Sequence, residues 1–267
     1  MDAFVDPLAL LSLQIDWGAD EALAEAPVNR LLDTGRPTPV DGQAHAAPAT
    51  VPSITPAAPT PRSPLARAAE PKPQPEVTAT TLDELCAAIR DFAGCSLRDT
   101  ATNPVLPVGN PSGGLLIIGE PPVAEDDRSG RPFSGPAGAI LDRILPALGL
   151  ERDRIMLAPL IPWRPPGSRP PTDAELAQCL PLLHRLIAIT APRRIVLTGI
   201  LPVRALLVGS TTLRRVRGRW AELRIPGLAT PVAALPTAGL GNLRTAADRR
   251  DAWTDWRMLH RTIDGES

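Results

Sequence analysis

The sequence predicts an α/β protein: a three-layer α-β-α domain with a four-stranded, mostly parallel sheet, preceded by a disordered Pro-rich linker. Three observations predict it. Short apolar runs without polar alternation take turns with longer stretches of helical period, the pattern of parallel crossovers that cover a sheet on both faces. Capping residues, glycines and prolines stand at the joins between them. The 33 prolines of this 267-residue chain are too many for one compact domain, and they are dense ahead of the periodic region.

Taken in order, residues 1–34 carry a broken amphipathic pattern, with Leu8 to Leu11 and Ala22 to Ala24 interrupted by Asp16-Trp17-Gly18 and Pro27. One or two short helices are expected there. Two readings stand: a segment that docks on a protein partner, or a terminal helix packed on its own domain. Residues 35–79 are rich in Pro, Ala and Thr and lack periodicity. They bury too little apolar surface to offset their ordering entropy, which makes them a linker.

The domain is expected over residues 80–264. Thr81 to Glu84 reads as a capping box, with Leu82, Leu85, Ile89 and Phe92 on the buried face of the helix it opens and Gly94 as its end. The first strand runs from Gly113 to Gly119. A helix follows from Pro136 to Leu148, with Gly149 just past its end. The second strand is Ile155 to Ile161. Thr172 caps a long helix with Asp173 and Glu175 at its positive end and Leu176, Cys179, Leu180, Leu183 and Leu186 along one side. Arg194 to Gly199 is the third strand, followed by a short helix near Pro202 to Val208. Pro231 to Leu235 is the fourth strand, and residues 245–262 form the closing helix.

Composition narrows the setting. The formal net charge is -1. The first 80 residues carry 5 basic and 10 acidic side chains, and the basic residues after them are all Arg. Arg suits bidentate phosphate contacts; a high-GC genome that replaces Lys by Arg explains the same bias. Three widely spaced cysteines, Cys86, Cys95 and Cys179, argue against a disulfide framework and for a reducing compartment. No apolar run is long enough to span a membrane, and the N-terminus lacks the basic flank of a secretory signal. No membrane partner and a cytoplasmic location are expected.

In a parallel sheet the carboxyl ends of the strands share one edge, so the loops after Gly119, Ile161, Gly199 and Leu235 converge. The first of these loops is the most distinctive part of the chain: Gly119-Glu120-Pro121-Pro122, then Glu125-Asp126-Asp127, then Gly130-Arg131-Pro132-Phe133-Ser134-Gly135-Pro136-Ala137-Gly138. It resembles the first motif of family-4 uracil-DNA glycosylases. Arg164-Pro165-Pro166-Gly167-Ser168-Arg169, with Pro171-Thr172 and Cys179, is similar to that family's second stretch. Arg217-Gly218-Arg219-Trp220 resembles its basic loop. The resemblance spans roughly residues 81 to 262.

The resemblance implies a DNA glycosylase: a base is flipped into a pocket and its bond to the sugar is hydrolysed. It implies Glu120 and Asp126 as catalytic positions, with Asp126 one methylene shorter than the family's Glu. It implies a base pocket of Gly119, Pro121, Phe133 and the position held by Pro159, with Phe133 stacking on the base. It also implies DNA, single-stranded or duplex, as partner, through Arg164, Arg169, Arg217, Arg219 and Arg244. Leu240 and Leu243 read either as an apolar wedge entering the duplex or as ordinary packing of their loop.

Three departures from the family's pattern matter. The family's uracil-reading Asn is replaced by Pro159, which has no side-chain donor or acceptor and no backbone N–H. Its His-Pro after the last strand is absent from Leu235 to Arg244, where Asn242 is the nearest polar substitute. Its iron–sulfur cysteines correspond to Phe92, Cys95, Trp163 and Cys179, and two thiols cannot hold a four-cysteine cluster. No cluster, no other metal and no further cofactor are expected. Three functions follow: a glycosylase relative with weak or altered excision, a catalytically inactive scaffold acting as a DNA- or protein-binding module, or a nucleotide-binding α/β domain. The last lacks any glycine-rich phosphate loop.

Overall fold

The computed structural model describes residues 77–207 and 212–264. The expected N-terminal helical segment, nearly all of the linker and the last residue of the expected short helix, Val208, lie outside the described residues.

Strand β2 (Leu115–Gly119) is buried at every position. β3 (Met156–Pro159) and β4 (Arg194–Thr198) flank it, both parallel to it. β6 (Val232–Thr237) continues the parallel set beside β4. These four are the expected strands. The sheet nevertheless has two more, as antiparallel borders: β1 (Val108–Gly109) on β3, and β5 (Ala221–Leu223) on β6. The order of the six is β1-β3-β2-β4-β6-β5. Runs of two and three residues are too short to impose a period of two on a sequence, so four strands was an undercount.

Alternate strand residues feed two cores. Leu116, Ile118, Met156, Ala158, Ile195 and Leu197 pack into one, with residues of α1 (Leu82–Asp91) and α4 (Asp173–Thr190). Leu115, Ile117, Leu157, Val196 and Leu235 pack into the other, with α3 (Pro136–Ala147) and α7 (Ala246–Asp264). A strand buried on both faces has no reason to alternate, which explains its uninterrupted apolar runs.

The caps form as the sequence implies. The Thr81 hydroxyl accepts the Glu84 N–H at 3.2 Å, and the Glu84 carboxylate accepts the Thr81 N–H at 3.3 Å. Thr172 and Glu175 repeat the device on α4. Three short helices complete the described α-helices: α2 (Ala124–Ser129), α5 (Ile200–Leu206) and α6 (Leu213–Val216). Among the described residues no helix is long and apolar enough to cross a membrane.

The chain leaves β2 toward β3 on one side, then crosses back to β4 on the other. The crevice between the carboxyl ends of β2 and β4 is therefore a topological switch point, the usual place for a ligand in an open α/β sheet.

Candidate active site

A cavity of about 200 Å³ opens at this edge. Its lining comes from four strand ends: Gly119, Glu120 and Pro121 after β2, Pro159 at the end of β3, Thr198 at the end of β4, and Leu240 and Gly241 after β6. Asp126 and Phe133 complete the wall.

Phe133 is held in an unusual way. Its backbone sits at φ 55°, a left-handed conformation uncommon for a bulky residue. Three neighbours secure it. Gly138 lets the helix start come close, since a Cβ there would lie 1.8 Å from the Phe133 carbonyl oxygen. Arg152 donates to that oxygen at 2.9 Å and is itself paired with Asp142. Gly119 leaves room for the ring, as a Cβ at 119 would lie 2.8 Å from the ring edge. The glycine that ends β2 thus seats the aromatic ring over the strand terminus.

Asp126 is buried, with 8% of its surface exposed. Its Oδ1 accepts the Ser134 N–H at 2.6 Å and its Oδ2 accepts the Val123 N–H at 3.1 Å. One carboxylate therefore caps α2 and ties the Phe133 loop back to it. Burial raises the Asp126 carboxyl above its ordinary range, against the opposing pull of these backbone N–H groups. A carboxylate has about four lone-pair sites, so acceptor capacity is left for a water.

Glu120 leans across the crevice. Its carboxylate accepts the Ile200 N–H and, at 3.3 Å, a proton of the Asn242 amide. It lies so close to Gly199 that a Cβ there would fall 2.5 Å from the carboxyl carbon. Burial raises this carboxyl too, partly offset by the Ile200 N–H. Asn242 does not line the cavity with Phe133. It lines a second hollow of about 190 Å³, which shares Glu120 and also includes Arg217 and Leu243.

Pro159 stands in the cavity wall, in register with Gly119. Its place as the last residue of β3 suits a residue that cannot donate to a ladder. Leu240 is buried at 2% exposure and also lines the cavity, whereas Leu243 is partly buried against the same core.

The expected DNA-contacting arginines divide into two groups. Arg219 and Arg244 are exposed. Three others are engaged. Arg164 donates to the Ser168 hydroxyl at 2.9 Å. Arg169 makes a two-pronged pair with Glu175, at 2.8 and 2.6 Å, which holds the Glu175 carboxyl down at about 2. Arg217 bonds Asp255 at 3.0 Å and Asp251 at 2.6 Å.

Several contributors were not foreseen. Asp255 is 4% exposed; it holds Arg217 and accepts the Ala238 N–H, so α7 fixes the loop after β6. Arg152 secures Phe133. Val123, 39% exposed, is an apolar residue on the cavity lining. Exposed apolar character at the end of a Gly-Glu-Pro-Pro turn was a legible signal for Val123. Arg152 and Asp255 offered none, because their partners lie far away in sequence.

The four positions aligned with the family's cluster ligands belong to one core and make two pairs. Phe92 stacks on Trp163 with ring centroids 5.7 Å apart and planes 21° from parallel. Cys95 and Cys179 are buried free thiols that share a hydrogen bond. That bond favours the Cys95 thiolate and lowers its pKa, while hydrogen bonding to Cys95 and burial push Cys179 up. Two thiols against two stacked rings do not fit a four-thiolate cluster. Among the described residues, no group of three or more His, Cys, Asp or Glu side chains is placed to hold a metal.

A profile of the uracil DNA glycosylase superfamily matches residues 106–257. Among characterised relatives, a type-4 uracil-DNA glycosylase of Pyrobaculum aerophilum is 36% identical over 151 residues, covering 55% of this chain and 77% of its own. One from Archaeoglobus fulgidus is 31% identical over 159 residues, 58% of this chain and 80% of its own. One from Thermotoga maritima is 33% identical over 131 residues, 49% of this chain and 68% of its own.

Proposed function

The chain belongs to the uracil DNA glycosylase superfamily, and from that premise we propose that it binds DNA in base-excision repair and takes one flipped nucleotide into the cavity beside Phe133, excising uracil weakly. The observation that carries this is the shared wall of Glu120, Asp126 and Phe133 around about 200 Å³. A dry cavity of about 150 Å³ takes up benzene, so this one has the size for a single base ring.

The chemistry follows from the groups in place. Phe133 offers a face for stacking. Asp126 holds a water, whose oxygen bonds to the sugar C1′ as the bond from C1′ to the base nitrogen breaks. The base leaves with the bonding pair as an anion and takes up the proton that the attacking water gives up. The Asp126 charge favours the positive sugar of the transition state by fixed electrostatics. Arg164, Arg169, Arg217, Arg219 and Arg244 supply phosphate contacts, with Arg219 and Arg244 the freest to do so. Leu240 and Leu243 act in this reading as wall and support of the cavity. Weak excision rests on Pro159, which leaves the base's hydrogen-bonding edge unread at β3.

The test is incubation with a uracil-containing single strand followed by alkali. Scission is expected, and Asp126→Ala should reduce its rate at least about 10²-fold. Salt-sensitive binding without scission on any damaged base would instead support a second reading, a catalytically inactive scaffold that binds DNA or protein. Pro159 is the observation that favours that reading.

A further inference from the structure

A third, wider hollow adjoins α2, lined by its Arg128 and Ser129. Its volume is about 610 Å³, and Arg90, Arg98 and Arg128 line it, with Thr102, Asn103 and Gly130. The three arginines come from three places: the last turn of α1, the turn after it, and α2. We infer that this groove is a binding site for the phosphodiester backbone of single-stranded DNA, continuing the strand whose nucleotide enters the base cavity.

The positive charge of the groove exceeds what its neighbours offset: of its three arginines only Arg128 has a carboxylate partner among the described residues, Glu125. No carboxylate is among its described lining residues. The nearest candidate, Asp127, is 5% exposed and already satisfied. It accepts the Thr102 N–H at 2.8 Å, the Thr102 hydroxyl at 2.9 Å and the Asn103 N–H at 3.3 Å. The Asn103 amide in turn donates to the carbonyls of Asp127 and Arg128. Asp127 therefore fixes Thr102 and Asn103 of the lining, and its carboxylate is spent on those bonds rather than on the arginines.

The guanidinium groups are open to a ligand. The Arg90 guanidinium, on the last turn of α1, has no hydrogen-bond or ion-pair partner among the described residues. Arg98 uses one nitrogen on the carbonyls of Asp91 and Phe92, at 3.4 and 3.3 Å, and keeps its others. Arg128 donates its Nε to the Ala124 carbonyl at 3.3 Å and one Nη to Glu125 at 3.4 Å, a solvent-accessible pair worth little in water, and keeps its other Nη. Three such forks favour phosphate oxygens, which they can grip two at a time. Base stacking is not part of the inference, because the Trp163 ring at the groove is already covered by Phe92.

Position selects a strand over a lone anion. Asp126 and Arg128 sit two residues apart on α2, one lining the cavity and the other the groove. The groove has about three times the volume of the base cavity and spreads its cations over three elements, which suits successive phosphates.

This inference rests on the DNA reading above, and the experiment separates the two. Fluorescence anisotropy measures binding of a uracil-free single strand across a salt series, for the full chain and for Arg90→Ala/Arg98→Ala/Arg128→Ala. Each lost phosphate contact on a single strand removes about 0.7 from the slope of log K against log salt. A slope shallower by about 2, with an unchanged melting temperature, is the expected result. Restoration of the slope by the triple Lys variant would confirm that charge is the cause. An unchanged slope in the Ala variant, with the parent chain still binding, overturns the groove and leaves the DNA reading intact. Absence of binding by the parent chain overturns both. If inorganic phosphate at constant ionic strength displaces DNA from the parent chain but not from the Ala variant, the groove takes small anions and the strand assignment fails.

Discussion

Asp126 does two jobs with one carboxylate, and they pull on its proton in opposite directions. Burial favours the neutral acid, while the N–H groups of Ser134 and Val123 favour the charged form; burial dominates. For an acid raised in the folded state, ionisation is lost as pH falls through a value above the ordinary carboxylate range. Excision, if it needs the ionised form, should fade on the acid side at a correspondingly high pH; kcat/KM measured across pH reports this limb, and it should disappear into a flat residual in Asp126→Asn. Pro159→Asn restores a donor and an acceptor to the wall of the cavity and should raise uracil excision about tenfold or more. No increase in a strand-scission assay would mean that the wall is not what limits the reaction. The residues of the first loop were legible because a buried strand that stops in Gly-Glu-Pro-Pro can only turn there. Arg152 and Asp255 were not: each looks like a surface charge on its own segment, and only folding brings Arg152 to Phe133 and Asp255 to Arg217.

Among the elements, α4 shows how a cap becomes a clamp. Its Glu175 completes the Thr172 capping box and also holds Arg169, so its carboxyl titrates at about 2. A depressed carboxylate contributes stability above its unfolded value of about 4.3 and loses it as pH falls toward the folded value. Thermal melts of the parent chain should therefore lose more stability between pH 5 and pH 2 than those of Glu175→Gln, whose melting temperature should be lower at neutral pH. The turn after α1 and the start of α4 meet where Phe92, Trp163, Cys95 and Cys179 pack. Trp163 is 1% exposed, so Trp163→Ala should cost about 3–5 kcal/mol in denaturant unfolding. The purified protein is expected to carry no iron by metal analysis. Capping boxes at Thr81 and Thr172 were readable from three-residue spacings. The helix α2 was not, because six residues are too few for a helical period to show.

At the scale of the whole molecule, four parallel strands gather their following loops on one edge, and the DNA reading proposed above assigns phosphate contacts to arginines of those loops. Binding to single-stranded DNA should then weaken roughly 50-fold between 50 and 200 mM salt if four phosphates are contacted; a titration at several salt concentrations measures it, and a flat response would exclude a backbone-driven contact. The layered architecture was legible because doubly buried strands and amphipathic helices differ so plainly in period. The borders of the sheet were not, since nothing in two or three residues distinguishes a strand from a turn. Those borders have their own consequence. A parallel sheet that ended on β3 and β6 would offer two long rows of open amide and carbonyl groups to any neighbouring copy. Closing them with stubs as short as Val108–Gly109 and Ala221–Leu223 leaves almost nothing for another chain to zip onto, which equips the fold to withstand crowding and high expression without polymerising into fibrils.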